Sequence, residues 1–243
     1  MISKSLFFIS CILIIFSTSV KSQFSTGVTI GYSNNQLSTD ISNRTFTRNK
    51  NYGGFCMELI FGNSLSRLVS FRTGIGFLQK NFSFKRTDKY AGVFETFTNS
   101  YIQFPLVGQI KIIEIKRLCV SLSTGFYGAY WAYAKVCGAT PNIFDSSYGF
   151  DDDGQMVQYL SLTSYSEKYQ FNNTKDNRFE FGITTGLDLN YKINDKYSII
   201  LESSYYQSLT DQQKHYMIHQ VSKINKTICI STGCLIRFST INK

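Results

Sequence analysis

Eight stretches of this sequence alternate apolar residues with polar or small ones at a period of two, the repeat of a strand whose two faces meet different surroundings. In the first, Phe24, Thr26, Val28, Ile30 and Tyr32 share one face and Ser25, Gly27, Thr29 and Gly31 the other. The remaining seven cover residues 53–61, 69–79, 101–112, 118–131, 179–191, 197–206 and 228–238. One face of each is rich in Phe, Ile, Leu and Val. The other carries small residues together with Glu58, Arg72, Lys111, Glu180, Asp188, Glu202 and Arg237. Pro105 lacks an N–H, which predicts a bulge or a local fray in the fourth stretch.

The gaps between stretches alternate in length. After the first, third, fifth and seventh they are long (34–52, 80–100, 132–178 and 208–226), and after the second, fourth and sixth they are short (62–68, 113–117 and 192–196). Long outer loops alternating with short periplasmic turns characterise barrels that cross a membrane. The expected fold is therefore all-β: an eight-stranded antiparallel up-and-down transmembrane β-barrel with long extracellular loops and short periplasmic turns. Closing the sheet pairs every backbone N–H and C=O, which a hydrocarbon environment requires. A soluble secreted lipocalin-like barrel would use the same alternation with the faces inverted, its Phe and Ile inward and its charges in water. Alternation alone does not separate the two.

The N-terminus supports export. A short start carrying Lys4, an apolar run over residues 6–16 and a small polar tail read as a signal peptide over residues 1–22, too short in its apolar part to cross a bilayer. Residues 23–243 then form a single barrel domain, with its largest extracellular loop at about 132–178. These features place the chain in the outer membrane of a Gram-negative bacterium. The net charge of +9 falls to +7 without Lys4 and Lys21 and is dispersed, with no basic block to track a phosphate backbone, so nucleic acid is not an expected partner. The expected surroundings are outer-membrane lipid, with an envelope or secretion-system protein as partner. Tyr and Phe supply 16 and 21 residues against two prolines, a composition suited to a long sheet with few breaks.

No chemistry-bearing motif stands out. Beyond Cys11, the cysteines Cys56, Cys119, Cys137, Cys229 and Cys234 are odd in number and follow no zinc or framework spacing. Cys229 and Cys234 fall on opposite faces of one strand and are not expected to pair. His215 and His219 lack a third ligand, and the Asp151-Asp-Asp-Gly154 run lacks the alternating acids of a calcium loop, so both read as solvated loop residues. There is no Gly-x-Ser-x-Gly elbow and no histidine placed beside a nucleophile. The expectation is a non-enzymatic protein with no catalytic residues, no metal and no cofactor.

Two sets of residues are the candidates for function. The seven charged residues of the polar face should compensate one another inside a lumen that eight strands leave just wide enough for side chains to fill. The aromatics Trp131, Tyr133, Phe144, Tyr148, Phe150, Tyr159, Tyr165 and Tyr169 lie in or beside the longest loop. Set among Asn, Ser and Gly, they suit a recognition surface, or alternatively fold the loop over the barrel mouth as a hairpin extension.

Several segments resemble a known family. Tyr101-Ile-Gln-Phe-Pro-Leu-Val-Gly108, Ser121-Leu-Ser-Thr-Gly-Phe-Tyr-Gly128, Phe181-Gly-Ile-Thr-Thr-Gly-Leu-Asp188 and Leu201-Glu-Ser-Ser-Tyr-Tyr-Gln-Ser-Leu-Thr210 are similar to segments of the outer-membrane β-barrel proteins of Bacteroidota that include the PorT-like members. The resemblance spans roughly residues 24–238. It implies an OmpA-like eight-stranded barrel and, from the founding type, an accessory role in protein secretion as the alternative to a structural or interaction role. The stretch 132–178 and the cysteines depart from ordinary members.

Overall fold

The computed structural model describes residues 23–39, 46–87, 91–150, 153–218 and 220–238. The expected signal peptide, residues 1–22, lies outside the described residues, as do His219, Asp151 and Asp152. Ten strands are present among those described: β1 (Gln23–Thr39), β2 (Thr47–Ser64), β3 (Val69–Gln79), β4 (Phe82–Arg86), β5 (Phe94–Ile115), β6 (Leu118–Phe150), β7 (Met156–Lys168), β8 (Phe179–Lys192), β9 (Tyr197–Ser208) and β10 (Lys223–Phe238). No helix among the described residues is long and apolar enough to cross a membrane.

All the pairings are antiparallel and belong to one sheet. From β1 the neighbours run through β2, β3, β5, β6, β8, β9 and β10, and β10 pairs with β1 in a register that sets Phe24 opposite Phe238. The expected count of eight strands needs correction to ten segments. β4 lies between β2 and β5 beyond the end of β3, and β7 folds back on the outer half of β6. The gaps 80–100 and 132–178, expected as loops, are thus largely strand. β7 and the end of β6 are exposed on both faces, so nothing maintains an apolar–polar alternation there, and the five-residue β4 buries the consecutive Phe82 and Ser83.

Side-chain burial decides between the two barrel orientations. Ile30, Leu106 and Phe126 are 51%, 59% and 55% exposed, whereas Arg72, Asp188 and Glu202 are 4%, 2% and 3% exposed. The apolar face points outward along every long strand and the polar face inward. This is the reverse of a soluble barrel, and an apolar belt of this extent demands lipid.

Short polar turns close one end. Asn194 accepts from the backbone N–H groups of Lys196 and Tyr197 at 3.0 and 2.7 Å, an Asx-type turn between β8 and β9. Ser66 accepts from Val69 N at 3.0 Å between β2 and β3. Lys116, with φ at 50°, adopts the left-handed conformation that the tight β5–β6 connection needs. Pro105 leaves the predicted fray. It pairs with Tyr127 on β6, but the β3–β5 ladder skips from Thr73–Leu106 to Gly76–Gln103, with no bulge there.

Candidate functional site: the lumen, its lid and the outer hairpin

The inward residues gather into layers along the axis. In the middle, Asp188 and Glu202 face each other in register on β8 and β9, two acids whose charges need a cation between them. Arg72 on β3 supplies it. Its Nη2 donates to Glu202 Oε1, and its Nη1 lies 3.6 Å from Asp188 Oδ1. Gln109 Nε2 donates to Asp188 Oδ2 at 2.6 Å, and Ser204 also donates to Glu202. Glu58 on β2 is buried in the same layer, and its Oε1 has no hydrogen-bond partner.

Toward the long-connection end, Glu180 on β8 accepts from Lys80 Nζ, from Tyr127 OH at 2.7 Å and from Asn225 Nδ2 at 2.9 Å. Lys80 is fully buried, with its ammonium over the rings of Tyr127 and Tyr101 at 4.7 and 5.0 Å. Sequence reasoning placed Lys80 in a loop. Its signal was the parity of Arg72, Gly74, Gly76 and Leu78, which simply continues to residue 80. The seven expected charges therefore do not form one network. Arg72, Asp188 and Glu202 are paired, Glu58 lies beside them, and Glu180 belongs to a second cluster. Arg237 donates to Asn190 Oδ1 at 3.0 Å, and it and Lys111 line a cavity of about 120 Å³ at the short-turn end.

An aromatic lid covers the other end. Trp131 stacks between Tyr101 and Tyr169, with centroids at 5.9 and 5.7 Å, and meets Phe171 edge-on at 4.9 Å. Asp176 holds the lid segment by accepting from Tyr169 OH at 2.9 Å and from Asn172 N at 2.6 Å. Burial and the Asp176 carboxylate push the Tyr169 phenol upward. A disulfide between Cys56 on β2 and Cys229 on β10 lies inside the lumen and crosses β1, whose Gly31 is the register partner of Cys56. A Cβ on Gly31 would stand 2.1 Å from the Ile230 carbonyl oxygen, so only glycine fits at this approach of β1 to β10. Cys119 is free and buried, while Cys234 is free and faces outward.

The eight loop aromatics separate into groups. Trp131 and Tyr169 belong to the lid, and Tyr133 is exposed just beyond it. Tyr165 on β7 donates to Glu95 Oε1 at 3.0 Å, and partial burial together with that carboxylate pushes its phenol up to about 12. Phe144, Tyr148 and Phe150 at the far end of the β6–β7 hairpin are 92%, 71% and 70% exposed, and Tyr159 opposite them is exposed as well. No group of three or more His, Cys, Asp or Glu residues that could hold a metal ion occurs among the described residues.

Residues 16–213 match the family model described as the outer membrane protein beta-barrel domain. The chain belongs to this outer-membrane β-barrel family. Together with the lipid-facing belt, membership places this outer-membrane protein in a Gram-negative envelope. No curated protein sequence is significantly similar to it. Among solved structures it is similar to the outer membrane protein OprG from Pseudomonas aeruginosa, at 9% identity and a TM-score of 0.47 over 91% of this chain and 97% of that one. It is also similar to Ail, the attachment invasion locus protein of Yersinia pestis, at 12% identity and 0.38 over 88% and 99%. The outer membrane protease OmpT from Escherichia coli gives 6% identity and 0.45 over 89% and 96%.

Proposed function

We propose that this outer-membrane protein is a closed eight-stranded transmembrane barrel with a filled lumen, non-enzymatic, whose outer β6–β7 hairpin presents an aromatic end to another envelope protein. The ring of pairings through β1, β2, β3, β5, β6, β8, β9 and β10 supports closure, with β4 and β7 as additions beyond the membrane. Export would rest on residues 1–22.

One contrast carries the reading. The groups with chemical potential, Arg72, Glu180, Asp188, Glu202 and Lys80, are committed to one another inside the lumen. Phe144, Tyr148 and Phe150 stand free in water. Rigid aromatic side chains exposed on a strand scaffold supply contact area at low entropic cost, whereas the same groups left permanently in water are a liability. The ion pairs across the lumen and the stack of Tyr101, Trp131 and Tyr169 at its mouth support a filled lumen.

Two measurements test this. Purified protein in planar bilayers gives no steady conductance steps. A photo-crosslinking residue at Phe144 or Tyr148 in intact cells gives a discrete adduct with an envelope protein, and the same probe at lumenal Lys111 gives none. A stable channel, or no adduct from any hairpin position, overturns the proposal.

A further inference from the structure

The lipid-facing aromatic belt has one missing tooth. In the outward row shared by β5, β6 and β8, Gly128 is the register partner of Phe104 on one side and of Phe181 on the other. Where a Cβ of Gly128 would stand, no heavy atom lies within 4 Å. The row above holds Tyr130 and Phe179 with centroids 5.2 Å apart, and the row below brings Phe126 against Phe181 at 5.9 Å. The result is an open groove of about 540 Å³, floored by Gly128 and walled by Phe104, Tyr130, Phe179 and Phe181.

The upper end of the groove is polar. Asn177, Thr210 and Glu180 line it, the Glu180 carboxylate being taken up by Lys80, Tyr127 and Asn225, and beside it the guanidinium of Arg178 sits 4.5 Å over the ring of Tyr130. Arg178 Nε donates to Trp131 O at 3.1 Å and its Nη2 to Ala132 O at 3.4 Å, and the guanidinium is held between the rings of Tyr130 and Phe171, the latter at 4.2 Å, which anchors the side chain. No carboxylate among the described residues pairs with it. A permanently charged donor fixed beside the polar end of an apolar groove matches an acidic headgroup above a hydrocarbon chain.

We propose that this groove is a binding site for one acyl chain of a phosphorylated lipid of the outer leaflet, the chain lying over Gly128 and the phosphate reaching Arg178. The occupant follows from continuity. The groove opens on the same face as Leu106, Phe126 and Ile183, which lipid already covers, so hydrocarbon is the medium that fills it. The position of Arg178 selects among lipids by headgroup.

The test uses full-length protein in detergent micelles, with lipid A and its dephosphorylated form as competing probes and native mass spectrometry as readout. Wild type retains one molecule and prefers the phosphorylated form by about tenfold, the size of one charge-assisted hydrogen-bonded contact. Gly128→Leu fills open space, keeps heat-modifiable gel mobility and loses retention of both forms. Arg178→Gln retains both without preference. Retention unchanged in Gly128→Leu, an absent phosphate preference in wild type, or many lipids bound without stoichiometry overturns the proposal.

Discussion

Cys56 and Cys229 are bonded to each other across β1, joining positions 173 residues apart on β2 and β10. β1 and β10 are the first and last strands, so this bond ties together the two ends of the chain where the sheet meets itself. The envelope is oxidising enough to keep it formed. A cross-link closing so long a loop restricts the unfolded chain strongly, worth roughly 2–5 kcal/mol. Replacing both cysteines by alanine should lower the urea midpoint of the purified protein, and reductant should do the same to wild type but not to the double variant. An unchanged midpoint in the double variant would show that the bond adds nothing to stability.

Arg72 is the only cation of the central layer among the described residues, set against Glu58, Asp188 and Glu202. Arg72→Met leaves buried acids uncompensated and should destabilise the protein by about 3–5 kcal/mol. Adding Asp188→Asn and Glu202→Gln removes the stranded charges and should restore a large part of the loss. Urea unfolding of the single and triple variants decides this, and a triple variant weaker than the single would contradict it.

Trp131 is the sole tryptophan of the chain and lies within the lid at 4% exposure. Its fluorescence should be blue-shifted and nearly insensitive to acrylamide in the folded protein. Trp131→Ala removes the ring between Tyr101 and Tyr169 and should cost about 3–5 kcal/mol. Ready quenching in the native state would place the ring in solvent and remove the lid from the account of the lumen.

The Tyr165–Glu95 hydrogen bond links β7 to β5 and fixes the base of the hairpin. The folded phenol is raised from about 10 to about 12, so its contribution is complete below pH 10 and is lost as the pH climbs from about 10 to 12. The partly exposed site limits it to under about 1 kcal/mol. Limited proteolysis of the hairpin should accelerate over that range in wild type. In Tyr165→Phe it should be faster than wild type at pH 8 and should lack this step.

Much of the architecture was legible from periodicity. Wherever one face of a strand meets lipid and the other the lumen, each residue must match its side, and Ile30, Leu106, Phe126, Arg72 and Glu202 all follow that parity. β7 and the end of β6 escaped because both of their faces are exposed, and β4 because it is five residues long and buries the consecutive Phe82 and Ser83, so a strand there leaves no alternating trace. Lys80 escaped with them, although it keeps the parity of β3. Pro105 interrupted the ladder without bulging because β6 continues to pair on its other side.

Sequence by itself determined which residues face hydrocarbon and which face the axis, because that choice is local and repeats every second position. Only the tertiary structure decided who meets whom inside. That Arg72 reaches Asp188 and Glu202, that Lys80 serves Glu180, that Cys56 finds Cys229, and that Trp131 turns into the mouth while Phe144 stays in water depend on strand register and on the ring of pairings. Those bring together residues a hundred or more positions apart, and no local pattern encodes such distances.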